Sequence, residues 1–144
     1  MKVVVIDGQG GKMGKALIEQ LKIALEGVNA ELYAIGTNGS ATAAMMKAGA
    51  DYGATGERPA IVAVRNADLI VGPVGIVVAD SFLGELTPAM ATAIGQSPAV
   101  RLLLPVNRCH SQVIGVRELS MNDMVKLAAA KAREIVYEAN SSAK

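Results

Sequence analysis

The residues with the clearest chemical meaning lie near the start of the chain, in the run Asp7-Gly8-Gln9-Gly10-Gly11-Lys12-Met13-Gly14-Lys15. Gly8, Gly11 and Gly14 recur at a spacing of three, Gly10 is an additional glycine, and the run separates a β-branched stretch from an amphipathic one. Backbone without Cβ atoms lets an anion approach its N–H groups, and a helix starting there adds the positive end of its dipole. The expected chemistry is phosphate binding, with Gly8, Gln9, Gly10, Gly11, Lys12, Met13 and Gly14 forming the cradle. Lys12 and Lys15 add positive charge. Asp7 stands at the mouth, where a carboxylate repels phosphate. It is expected instead to accept hydrogen bonds from the loop's own N–H groups and to hold the turn.

A P-loop NTPase is excluded by two positions. Counting back from Gly14-Lys15 puts Gln9 where the first glycine belongs, and Ala16 stands in place of the Mg²⁺-ligating hydroxyl. A dinucleotide site of the strand–loop–helix type offers an acid at the end of its second strand for the adenosine ribose. Here that end reads Gly36-Thr37-Asn38-Gly39-Ser40, with no acid. Thr37, Asn38 and Ser40 are compatible with a 2′-phosphate, so NADP or another adenine nucleotide is expected ahead of NAD. A mononucleotide or other phosphorylated ligand stays open.

Further binding residues are expected in the loops after later strands: Gly72, Pro73 and Gly75, then Asn107 and Arg108. Arg108 is the anion clamp among them. Asp80, Ser81 and Glu85 are candidate polar groups at the same mouth. Cys109 reads as a small buried thiol rather than a nucleophile, because an adjacent His110 points the opposite way in extended chain. One histidine without a second ligand at metal spacing makes no metal site. No residue is assigned a catalytic role.

The elements that must position these groups follow from periodicity. Strands are predicted at 2–6, 30–35, 68–71, 100–104 and 112–116. An amphipathic helix follows the glycine loop to about Gly27, a short one carries Ala41, Ala44, Met45 and Ala48, and another turn of helix is expected from Pro59 to Asn66. Thr87-Pro88 starts a helix reaching Gly95. The last helix is marked by Ser120 and Asp123 as a capping box and by Leu119 and Met124 as a hydrophobic staple. Residues 51–58 read as loop, 76–83 are ambiguous, and 140–144 form a polar tail. Alternating strands and helices predict an α/β fold: a Rossmann-like, doubly wound, mostly parallel sheet with helices on both faces, as one domain over residues 1–139.

Composition narrows the partners. The net charge of +1 gives no electrostatic footprint for nucleic acid or an anionic membrane. No apolar run approaches the ~18 residues of a membrane span, and no signal-peptide pattern opens the chain. A lone cysteine fits a reducing compartment, so a cytoplasmic location is expected. Hydrophobic residues make up 51% of the chain and mean hydropathy is +0.35, which predicts apolar surface buried in a homo-oligomer.

The stretch "VVVIDGQGGKMGKALI" resembles the opening of dihydrodipicolinate reductases, whose G-x-x-G-x-M-G loop binds NAD(P)H. That resemblance covers about twenty residues. The sequence has no counterpart of their His- and Lys-bearing catalytic segments, so their activity is not implied. Over most of residues 5–109 the chain is similar to a small bacterial family of Rossmann-like domains with no assigned function. The residues that carry this are "IDGQGGKMGK", "IGTNGSAT", "KAGADYGATGE", "LIVGPVGIVVADSFLGELTPAMATAIG" and "LLLPVNRC". This resemblance implies a fold and no mechanism. Three functional readings follow: a nucleotide-binding or sensory module, an NAD(P)-dependent oxidoreductase component completed by oligomerisation or a partner, and an oligomeric interaction protein with a purely structural glycine loop.

Overall fold

Five short strands pair in parallel in the computed structural model, which describes residues 1–106 and 110–142. They are β1 (Lys2–Asp7), β2 (Glu31–Gly36), β3 (Tyr52–Thr55), β4 (Leu69–Pro73) and β5 (Val100–Leu104), in the order β3-β2-β1-β4-β5. The central strand shows why the sequence pattern is continuous rather than alternating. Val4 lies between Tyr33 of β2 and Ile70 of β4, and both faces of β1 are covered. Val3 and Val5 enter one apolar cluster, Val4 and Ile6 the other. Each such side chain contributes about 1.5–3 kcal/mol by its burial.

Helices α1 (Lys12–Ala24), α2 (Gly39–Lys47) and α5 (Met121–Ser142) cover the first face, and α3 (Glu57–Val64) and α4 (Pro88–Gln96) cover the second. Met13, Leu17, Ile18 and Leu21 of α1 meet Val125, Ala129, Ala132 and Val136 of α5. The chain winds outward from β1 to β3, returns through α3 to β4 on the other side of β1, and continues to β5. The order therefore reverses between β1 and β4, which is the switch point of a doubly wound sheet. No described helix is long and apolar enough to cross a membrane.

The sequence expectation is corrected at three places. Residues 52–55 are not loop but the edge strand β3. Its four residues lack a local signal, and it is held by pairing to β2 and by Tyr52 stacked on Tyr33 with ring centroids 4.8 Å apart. Residues 112–116 are not a strand: the described chain turns at Ile114-Gly115, with Gly115 at φ 88°. Their apolar side chains Val113, Ile114 and Val116 are exposed, so the alternation there reflects no buried face. Third, α5 runs through Asn140 to Ser142 where a tail is expected. At its start Ser120 Oγ accepts the Asp123 N–H at 3.1 Å, as an N-cap should. The ambiguous stretch before α4 resolves into a 3₁₀ turn, Val74–Val77, followed by irregular chain.

Candidate functional site

Asp7 ends β1 with its side chain 6% exposed. Gly8 N–H donates to its Oδ1 at 2.8 Å and Gly14 N–H to its Oδ2 at 2.7 Å. One carboxylate thus ties both ends of the loop, the role expected of it from sequence. Inside the loop, Gly11 N–H donates to the Gly8 carbonyl at 3.0 Å, and the first helical bond of α1 runs from Lys15 N–H to the Gly11 carbonyl at 2.8 Å. Gly11 is the N-cap, at φ 74°.

The motif glycines are required by packing. A Cβ on Gly8 would lie 2.7 Å from Thr37 Oγ1 and 2.9 Å from the Phe82 ring, and one on Gly14 would lie 2.5 Å from Met45 Sδ. On Gly11 it would lie 2.8 Å from the Cα of Ala41 in α2. Gly10 differs, being exposed with nothing within 4 Å of such a Cβ.

Burial pushes the Asp7 carboxyl above the usual carboxylate value of 3.8, against the lowering effect of the Gly14 and Gly8 N–H bonds. A raised folded-state value means that the native state holds this proton more tightly than the unfolded chain. The contribution of Asp7 is then fully present below the unfolded value and is lost as pH rises through the folded one. Denaturant titrations of the wild type and Asp7→Asn between about pH 4 and 7 should show the wild type losing stability relative to the variant as pH increases. The opposite slope would mean that the N–H bonds outweigh burial.

At the neighbouring strand end, Thr37 N–H donates to the Asp7 carbonyl at 3.0 Å. Thr37 Oγ1 is buried with no hydrogen-bond partner among the described residues. Asn38 caps α2, its Oδ1 accepting the Ala41 N–H at 2.9 Å, while its Nδ2 donates to Glu85 Oε1 at 3.1 Å. A crevice of about 120 Å³ opens outside the carboxyl ends of β1 and β4, walled by residues 7–13, Pro73, Phe82, Val106 and Met121. A second hollow of about 260 Å³ shares Val106 with it and is lined in part by Gln112, Arg117 and Glu118. The crevice sits at the switch point, where open parallel sheets bind ligands.

The family model described as "Domain of unknown function (DUF3842)" matches residues 2–137. The chain belongs to the DUF3842 family. No curated protein matches it. Among solved structures it is similar to a dodecameric FMN-dependent Ubix-like decarboxylase from Escherichia coli O157:H7, at 17% identity and TM-score 0.47, covering 91% of this chain and 75% of that one. It is also similar to a cysteine-to-serine mutant of the YwlE arginine phosphatase, with a phosphorylated active-site serine, at 14% identity and TM-score 0.38, covering 99% of this chain and 95% of that one. Likenesses this distant say nothing of what the DUF3842 domain binds.

In the DUF3842 domain the fold gathers Gly8 to Gly14, Thr37, Asn38 and Pro73 at one end of the sheet. Gly72, at the end of β4, packs so closely against the Ile6 carbonyl of β1 that a Cβ there would collide with it. Gly75 is buried in the 3₁₀ turn, off the crevice, and Ser40 is exposed in the first turn of α2. Asn107, Arg108 and Cys109 lie outside the described residues. Of the polar trio before α4, Glu85 accepts from Asn38 Nδ2 just past the end of β2, and neither of the two lines the crevice. Ser81 turns inward to donate to the Val78 carbonyl at 2.7 Å, and Asp80 is exposed. Phe82, Val106 and Met121 are wall residues that carry no chemical signature in sequence, because apolar residues line crevices and cores alike.

Proposed function

We propose that the DUF3842 domain binds a nucleotide or dinucleotide at the 8–14 loop and serves as a binding or sensory module. The observation that carries this reading is the crevice at the β1–β4 switch point, walled by loop backbone. The N–H groups of Lys12 and Met13 precede the first i→i−4 bond of α1, so they and the helix dipole are available to an anion. Lys12 is exposed and adds charge. At about 120 Å³ the crevice suits a phosphate group, and the hollow beyond Val106 gives room to the rest of the ligand. Among the described residues, Asp7 and Lys12 are the titratable side chains lining the crevice, and both Asp7 oxygens are engaged by backbone. That favours binding over acid–base chemistry. Val116 and Leu127 are about half exposed beside β5, which supports assembly as a homo-oligomer.

A thermal-shift panel of NAD(H), NADP(H), FAD, AMP, ATP and S-adenosylmethionine tests the reading. A ligand at about one hundred times its Kd adds about 2.7 kcal/mol, a Tm increase on the order of 10 °C for a domain of this size. Gly10→Asp should remove the shift without unfolding the protein, since it sets a carboxylate at the mouth in open space. A melting curve unmoved by every member of the panel overturns the proposal.

A further inference from the structure

The end of β2 carries no acid, yet the fold delivers one there from a distant part of the chain. Residues 80–86 cross towards the glycine loop, closed by Asp80 N–H donating to the Leu86 carbonyl at 2.8 Å and Gly84 N–H to the Asp80 carbonyl at 3.0 Å. Asp80, Phe82 and Leu83 all adopt left-handed backbone, at φ 68°, 58° and 57°, a strain that folds retain chiefly at functional sites. Phe82 rests against Gly8. Glu85 then places Oε1 3.1 Å from Asn38 Nδ2, and Asn38 is itself held by capping α2.

Beside this pair, Thr37 Oγ1 is more than nine-tenths buried, has no partner among the described residues, and faces Gly8 at the edge of the glycine loop. That oxygen is closed to solvent, so the end of β2 lies directly against the glycine loop.

We infer that Glu85 is the sugar-reading acid of this site, and that it selects a ribose with free hydroxyls over one carrying a 2′-phosphate. The inference rests on the nucleotide reading above and deepens it by naming the ligand class. In sites of this fold a carboxylate at the end of the second strand accepts from the ribose hydroxyls. Glu85 occupies that place from the loop before α4. Its negative charge accepts those hydroxyl hydrogens and repels a phosphate, so the discrimination comes from attraction and repulsion together. This order is the opposite of the NADP-over-NAD expectation read from residues 36–40.

The experiment is a calorimetric titration of the full chain with NAD⁺ and with NADP⁺. The wild type should bind NAD⁺ at least roughly tenfold tighter, as one unfavourable charge pair at a half-solvated site implies. Glu85→Gln keeps an acceptor oxygen for Asn38 and removes the charge, so the preference should shrink to about threefold or less, and Glu85→Lys should reverse it. Glu85 is exposed, so these variants fold. NADP⁺ binding as tightly as NAD⁺ in the wild type, or an unchanged ratio in Glu85→Gln, overturns the role of Glu85 and leaves nucleotide binding standing. Binding of neither dinucleotide overturns this inference, whereas the proposed function falls only when the whole nucleotide panel leaves the melting curve unmoved.

Discussion

Gly11→Val is expected to lower the stability of the domain by on the order of 3–5 kcal/mol, a large part of the roughly 5–15 kcal/mol typical of native proteins. Two costs add at this position. Left-handed backbone at φ 74° disfavours a β-branched residue by about 1–3 kcal/mol. A Cβ there also meets the Cα and carbonyl oxygen of Ala41 at 2.8 and 2.9 Å, and backbone in the first turn of α2 cannot rotate away as a side chain would. Overpacking of that kind costs a further ~1–3 kcal/mol. Thermal unfolding should show a Tm decrease on the order of 10–15 °C for Gly11→Val, with Gly10→Val close to the wild type. Equal Tm values for Gly11→Val and the wild type would refute the packing role. A consequence for binding studies is that lost affinity in a Gly11 variant cannot be separated from lost structure, whereas Gly10 probes the mouth alone.

Asp7→Ala should move stability and anion affinity in opposite directions. Removing the carboxylate leaves the N–H groups of Gly8 and Gly14 without their acceptor. Each stranded donor costs about 1–3 kcal/mol. Burial already penalises the charged carboxyl, so the net loss should be about 2–4 kcal/mol rather than the full sum. The same change removes a negative charge from the loop and frees two donors. Inorganic phosphate or a nucleotide should then raise the Tm of Asp7→Ala by more than it raises that of the wild type. A variant that is destabilised and gains no anion response would show that the loop donors collapse onto other acceptors once Asp7 is gone.

Much of this architecture is legible locally. The runs at β1, β2, β4 and β5 carry their apolar character in consecutive residues. The stripe Val125, Ala129, Ala132 and Val136 repeats at helical spacing, and Thr87-Pro88 marks the start of α4. The tie between Asp7 and the loop could be read because a carboxylate next to several unpaired N–H groups has one low-energy use. Elements that depend on distant neighbours could not be read this way. β3 exists because Tyr52 pairs and stacks with Tyr33. Residues 112–116 have the alternation of a strand and no sheet to join.

The glycine run shows where the division falls. Sequence alone determined that a glycine-rich loop joins β1 to α1, because turn chemistry is local. Only the tertiary structure decided what each glycine approaches: Thr37 and Phe82 at Gly8, Ala41 at Gly11, Met45 at Gly14, and open space at Gly10. It also brought Glu85 against Asn38, 47 residues away in sequence, just past the end of β2. No periodicity or spacing carries such information, since a contact across that separation is set by how the sheet brings the loops together.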